Sequence, residues 1–159
     1  MNKVDQWKDL IIKSSECFRI DAHLIEAIIV TESSGDADAT RFEPKWHLYN
    51  NPQFYCDHLG ISKQEEEVSQ ATSWGLMQVM GAVARDLGYT EDLKMLLVPE
   101  VGIFYGCKKL KQLMQRYGSE EAVVSAYNQG NARMANGMYM NQRYVDKVYA
   151  YLRQLRALV

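Results

Sequence analysis

Disulfide chemistry is the first thing missing. The three cysteines, Cys17, Cys56 and Cys107, are odd in number and far apart. That argues against a disulfide framework and fits synthesis in a reducing compartment. A dominant charge is missing too: 18 basic against 20 acidic residues leave a formal net charge of −2. No global basic field exists to hold nucleic acid or an anionic membrane, so any acidic polymer must be gripped locally. Near the N-terminus the only apolar run is Leu10-Ile11-Ile12, set between charged residues. It is too short for a signal peptide's apolar segment or a membrane span. The expectation is a soluble chain made in the cytoplasm, without stable membrane insertion, that something else delivers if it works outside. Alternating strand patterns, internal repeats and dividing linkers are also absent.

What is present suits one domain. A chain of 159 residues with 47% hydrophobic and 24% charged residues has the balance of a globular protein. At this length roughly 70% of the unfolded surface can be buried. Helical periodicity dominates. Amphipathic segments are expected over about residues 4–18, 62–70, 76–87, 100–117, 120–128 and 141–156. Asp21 and Ser119 are placed to cap helices, and Pro99 to start one. A polar stretch to about residue 71 carries Trp46, Tyr49, Phe54 and Tyr55 and reads as an ordered excursion. The fold expected is a single, mainly α domain spanning residues 1–159.

Three segments break local rules. After Asp21, residues Leu24, Ile25, Ile28 and Ile29 form one stripe, near 0°, 100°, 40° and 140° at about 100° per residue. Glu32 falls near 80°, inside the apolar arc, whereas Glu26 falls near 200° on the other side. A carboxyl group on a buried stripe tends to keep its proton, which is what protonating a glycosidic leaving oxygen requires. The wheel alone does not separate that acid from a helix-terminal Glu reaching past the core edge into water. The second segment, Ser73-Trp74-Gly75-Leu76-Met77-Gln78-Val79-Met80, sets a glycine and an amide among large apolar residues. It reads as a substrate-facing turn in which Gly75 lets a sugar approach and Gln78 meets an acetamido group. Taken alone, a glycine-started core helix with Gln78 in solvent is the better reading. In the third, Ala126-Tyr127-Asn128-Gln129-Gly130, Asn128 is either helix-end chemistry or, with a stacking Tyr127 ring, part of a sugar groove.

Together and in this order these segments resemble the soluble lytic transglycosylase family, which shares the goose-type lysozyme fold. The matching residues are Glu32-Ser33, Gly75-Leu76-Met77-Gln78, Ala126-Tyr127-Asn128 and the late tyrosine Tyr144 in Arg143-Tyr144-Val145. The resemblance covers about residues 20–150. An insertion over about residues 43–72, with Arg41-Phe42-Glu43-Pro44 and Gln70-Ala71-Thr72-Ser73-Trp74 at its flanks, looks like the version found in bacteriophage and prophage lysis proteins.

The resemblance implies a lysozyme-like helical fold with a catalytic groove for peptidoglycan glycan strands, acting as a monomer without metal or organic cofactor. It implies that Glu32 protonates the oxygen between N-acetylmuramic acid and N-acetylglucosamine, then takes the proton of the C6 hydroxyl to leave a 1,6-anhydro product. Tyr144 would orient Glu32, and Gln78 and Asn128 would bind acetamido and neighbouring groups. Ser33, Ser73, Gly75, Leu76, Met77 and Tyr127 would shape and support the site. A hydrolytic muramidase would instead need a second carboxylate, for which Asp36, Asp38 and Glu43 are nearest. A non-catalytic glycan-binding virion module is the remaining alternative, and an intact Glu32 speaks against it. The implied setting is a phage endolysin reaching the cell wall after release by a holin, with virion-associated or exported enzymes as variants. A metal site from His47, Cys56 and His58, with His23, matches no standard zinc spacing. Lys108, Lys109 and Lys111 lie off the apolar stripe of their helix and read as a solvated face that attracts an anionic wall.

Overall fold

In the computed structural model, which describes residues 2–158, the first amphipathic segment becomes a 3-10 turn at Asp5–Trp7 and helix α1 (Lys8–Phe18). Helix α2 (Ala22–Ser33) starts where the Asp21 side chain accepts the His23 N–H at 2.9 Å, relieving one orphan donor of the first turn. Its Leu24, Ile25, Ala27, Ile28 and Ile29 are all buried. Ser34 ends it in the left-handed region, at φ 54°.

The excursion that follows is closed at its base by strands. Strand β1 (Thr40–Phe42) leads to helices α3 (Pro52–Leu59) and α4 (Lys63–Gln70), and β2 (Thr72–Trp74) brings the chain back. β1 and β2 pair antiparallel with Thr40 opposite Trp74 and Phe42 opposite Thr72. Strand β3 (Val79–Met80) adds to the other edge of β2. No strand was expected from the sequence, because elements of two or three residues carry no readable alternation. α3 was likewise not expected; Pro52 opens it and Gly60, in the left-handed region, closes it. α4 has a full capping box between Ser62 and Glu65.

The helix expected over residues 76–87 is shorter than its apolar pattern suggests. Residues 75–78 form a turn, 79–80 form β3, and only α5 (Gly81–Asp86) is helical. Gly75 has φ 72° and Gln78 φ 49°. A Cβ at Gly75 would lie 2.5 Å from the Leu96 carbonyl oxygen, so the missing side chain makes room for backbone. The turn's carbonyls are satisfied from afar instead of along a helix: Ser33 Oγ donates to Leu76 O at 2.8 Å and Tyr127 Oη to Met77 O at 2.6 Å.

After a 3-10 segment at Leu93–Leu97 comes α6 (Pro99–Arg116), then α7 (Glu120–Gln129), a hairpin of β4 (Met134–Ala135) and β5 (Met138–Tyr139), and α8 (Gln142–Ala157). Ser119 caps α7 by accepting the Ala122 N–H at 3.2 Å. α6 buries Ile103, Cys107, Leu110 and Leu113, whereas Phe104 stays half-exposed against Phe18. α2 packs on α8 and α1, and α6 on α1 and α7, around one continuous core. Such a mainly α domain agrees with the expected fold class. Among the described residues no helix is long and apolar enough to cross a membrane.

Candidate active site

A groove of about 700 Å³ runs between the excursion and the C-terminal end of α7. The last turn of α2 puts Glu32 into it. From α8, 112 residues later, the Tyr144 hydroxyl donates to Glu32 Oε1 at 2.7 Å. Among the described residues the second oxygen, Oε2, accepts no protein hydrogen bond, which leaves it for a ligand.

Burial is the largest influence on Glu32 and pushes its carboxyl above the usual carboxylate range. The Tyr144 hydrogen bond and the charges of Lys109, Lys147 and Arg41 oppose that shift without cancelling it. The result is an acid that holds its proton longer than an exposed glutamate, with one oxygen fixed and one free. Burial and the adjacent Glu32 together hold the Tyr144 phenol well above its ordinary value, so it remains a hydrogen-bond donor.

The groove lining also carries two amides with complementary free groups, Gln78 from the 75–78 turn and Asn128 from α7. Gln78 spends its Nε2 on the carbonyls of Ala39 and Gly75, both at 3.0 Å. Among the described residues its Oε1 takes no bond and remains as an acceptor, so toward an acetamido group Gln78 can offer acceptance but no free donor. Asn128 receives Asn141 Nδ2 on its Oδ1 at 3.0 Å, which leaves its own N–H groups free. Asn141 is itself fixed by Ser125, accepting Oγ at 2.7 Å and donating to the Ser125 carbonyl at 2.9 Å.

Several other expected site residues sit behind the groove. Leu76 and Met77 are 1% and 0% exposed and belong to the core. Gly75 is buried under Leu96, so the expected close approach of a sugar there is replaced by a close approach of backbone. Ser33 ties α2 to the turn through Leu76 O. Tyr127 belongs to the groove lining but is 2% exposed, so it has no free face on which a sugar could stack; its hydroxyl holds Met77 O and its ring lies under Lys109. Ser73 lines the groove from β2.

Among the residues that reach the groove without a site role expected from the sequence, Arg41, Trp46 and Lys109 matter most. Arg41 lies in β1, opposite Ser73, and pairs with Glu43 at 2.8 Å. Trp46 forms part of the wall with its indole N–H buried and unpartnered. Lys109 departs most from expectation. Rather than a solvated face, it lines the groove, donates to Tyr127 O at 2.6 Å and stands 4.0 Å from that ring's centroid. Burial pulls its ammonium down to about 8, against the attraction of Glu32. The signal was faint: one lysine among three, beside a stripe that holds Cys107 and Leu110. Of the three second carboxylates considered, Glu43 reaches the groove, while Asp36 and Asp38 are exposed and outside its lining. Among the described residues no group of three or more His, Cys, Asp or Glu is placed to hold a metal ion.

The family model for the transglycosylase SLT domain matches residues 9–149. A protein described as a transglycosylase, from Enterobacteria phage PRD1, is 27% identical over 143 residues. The aligned region covers 90% of this chain and 42% of that phage protein, so the chain spans less than half of its relative's length.

Proposed function

The chain belongs to the transglycosylase SLT domain family, and from that premise we propose that it is a peptidoglycan lytic transglycosylase with Glu32 as its acid and base. The observation that carries the reading is the partly buried Glu32 carboxyl, fixed on one oxygen by Tyr144 at the edge of a groove.

The substrate is the β-1,4 bond between N-acetylmuramic acid and N-acetylglucosamine. Glu32 gives its proton to the bridging oxygen as the C1–O bond breaks, and the N-acetylglucosamine leaves as an alcohol. The muramyl acetamido oxygen closes on C1 and carries the positive charge. Glu32, now a carboxylate, accepts the proton of the C6 hydroxyl. That oxygen then attacks C1 and releases the acetamido oxygen, giving the 1,6-anhydro sugar. Protons balance within the cycle and no water is consumed. The free Oε1 of Gln78 suits an acetamido N–H, and the free N–H groups of Asn128 suit a carbonyl oxygen. Tyr144 keeps Glu32 oriented through both proton transfers.

Hydrolysis on the same scaffold is the second reading, favoured by Glu43 in the groove wall. Its ion pair with Arg41 occupies it, which ranks water activation below attack by the C6 hydroxyl. Digestion of purified peptidoglycan followed by mass analysis separates the two. Products lighter by one water are expected; reducing ends would mean hydrolysis. Glu32→Gln should lower turnover by about 10²–10⁴-fold, and a fully active variant would remove Glu32 from the mechanism. The excursion resembling phage lysis proteins and the phage relative support a role in releasing phage from the host. Co-expression with a holin should lyse a bacterial host, and the Glu32→Gln chain should not.

A further inference from the structure

Lys108 and Lys109 are neighbours on α6 with the same structural habit. Lys108 Nζ donates to Leu87 O at 2.6 Å, at the C-terminal cap of α5. Lys109 Nζ donates to Tyr127 O at 2.6 Å, among the last carbonyls of α7. Carbonyls in a helix's final turn lack in-helix donors and form the negative end of its dipole, so both ammonium groups are well placed. Lys109 is additionally held over the Tyr127 ring, 4.0 Å from its centroid. The difference lies in what each cation faces. Lys109 shares the groove with Glu32, whereas Lys108 does not line it.

We propose that Lys109 is a positioning residue for Glu32: its ammonium, anchored on α7, stabilises the carboxylate that remains once Glu32 has given up its proton. The inference rests on the reading of Glu32 as the acid and base. Negative charge grows on Glu32 as the glycosidic bond breaks, and a fixed cation in a partly dehydrated groove lowers the energy of that state. Because its hydrogen bond goes to Tyr127, Lys109 supplies charge without occupying the oxygen that must meet the substrate. The other groups acting on Glu32 are Tyr144 and Lys147 from α8 and Arg41 from β1. Arg41 is already engaged with Glu43. Tyr144 is a neutral donor. Lys109 is therefore the groove cation whose own contacts pin it in place while leaving its charge uncompensated by a direct carboxylate bond.

The test combines kinetics on solubilised glycan strands with an NMR titration of the full chain. Removing the cation makes Glu32 a weaker acid. Lys109→Met should therefore lower kcat roughly tenfold with little change in KM, and should move the alkaline limb of kcat/KM up by about one pH unit. Lys109→Arg should recover most of kcat. Lys108→Met should lose thermal stability but keep the wild-type pH profile. A pH limb unmoved in Lys109→Met, or a defect that Arg does not relieve, would mean that Lys109 only caps α7. If Lys109→Met does not fold, the wild-type chain still decides. With 13C-labelled glutamate, the Glu32 carboxyl resonance should show its own titration and a second displacement as Lys109 loses its proton, expected at about pH 8. That second displacement should vanish in Lys109→Arg, and its absence from the wild type overturns the proposal. An active Glu32→Gln would instead overturn the reading beneath it, so the two failures are distinguishable.

Discussion

Glu66 and Glu32 are both drawn out of bulk water, but only Glu66 is matched oxygen by oxygen. Glu66 is 0% exposed. Arg85 donates to its two oxygens at 2.8 and 2.9 Å, and Gln70 Nε2 adds a third bond at 2.9 Å. Each guanidinium nitrogen is partnered as well: Nη1 donates to the carbonyls of Tyr89 and Glu91, and the group lies 4.1 Å from the Tyr55 ring centroid. This network fastens α3 and α4 to α5 and so fixes the excursion that walls the groove. Glu32 receives one hydroxyl bond and the field of a cation bonded elsewhere. A buried charge pair in which each nitrogen and oxygen has a partner is rigid and chemically idle. A carboxyl left partly unmatched is raised in pKa and able to exchange a proton. The same residue type therefore builds a wall in one place and an acid in the other, according to how many partners it was given.

The sharpest way to break the comparison is to unmatch Glu66. Arg85→Met strands a buried carboxylate and should cost about 3–5 kcal/mol of stability, read as a fall in the urea midpoint. Replacing the pair together, Glu66→Leu with Arg85→Met, should cost much less, because no charge is left without a partner. Equal losses in the single and double variants would show that packing, and not pairing, carries this region.

These two sites were unequally legible in the sequence. The helices and their caps at Asp21 and Ser119 could be read because they depend on neighbours a few residues away. The turn at 75–78 was one reading of its segment but ranked below a helix, because apolar Leu76 and Met77 imitate a helix stripe while the bonds that hold them come from Ser33 and Tyr127. Strands β1 to β3 are paired by residues some thirty positions apart or joined by a tight turn, at lengths where no period shows. Glu32 drew attention because it sat on an apolar stripe, and its link to Tyr144, 112 residues away, followed from family resemblance only. Glu66 gave no sign at all. It lies in the polar run Lys63-Gln64-Glu65-Glu66-Glu67, where burial depends on Arg85 arriving from another helix.

Removing the hydroxyl that bonds Glu32 sharpens the other half. Tyr144→Phe should lower kcat about tenfold, the scale of one hydrogen bond to a charged group. The Tyr144 bond draws the Glu32 carboxyl down against burial. Its loss should therefore raise Glu32 further and move the alkaline limb of the pH profile upward. A limb that moves downward would mean that Tyr144 serves the protonated form. A protein as stable as wild type but slower is the expected pattern, in contrast to the unfolding expected at Arg85.

The smallest effect is a gain. Burial holds the Glu32 carboxyl above its ordinary value of 4.5. Between that value and its folded one, the native chain keeps a proton that the unfolded chain has released. The stability from this group is thus fully present below pH 4.5 and is lost as pH rises through the folded value. At neutral pH the ionised Glu32 is a cost that glutamine does not carry. Glu32→Gln should therefore melt slightly above wild type at pH 7, with the difference closing toward pH 4. Glu66→Gln should melt below wild type at pH 7, since it removes charge from a completed pair. Melting curves of the two variants across this range test the contrast directly. If Glu32→Gln melts lower at pH 7, then Tyr144 and Lys109 compensate the carboxylate as fully as Arg85 compensates Glu66, and incomplete matching cannot be what makes Glu32 an acid.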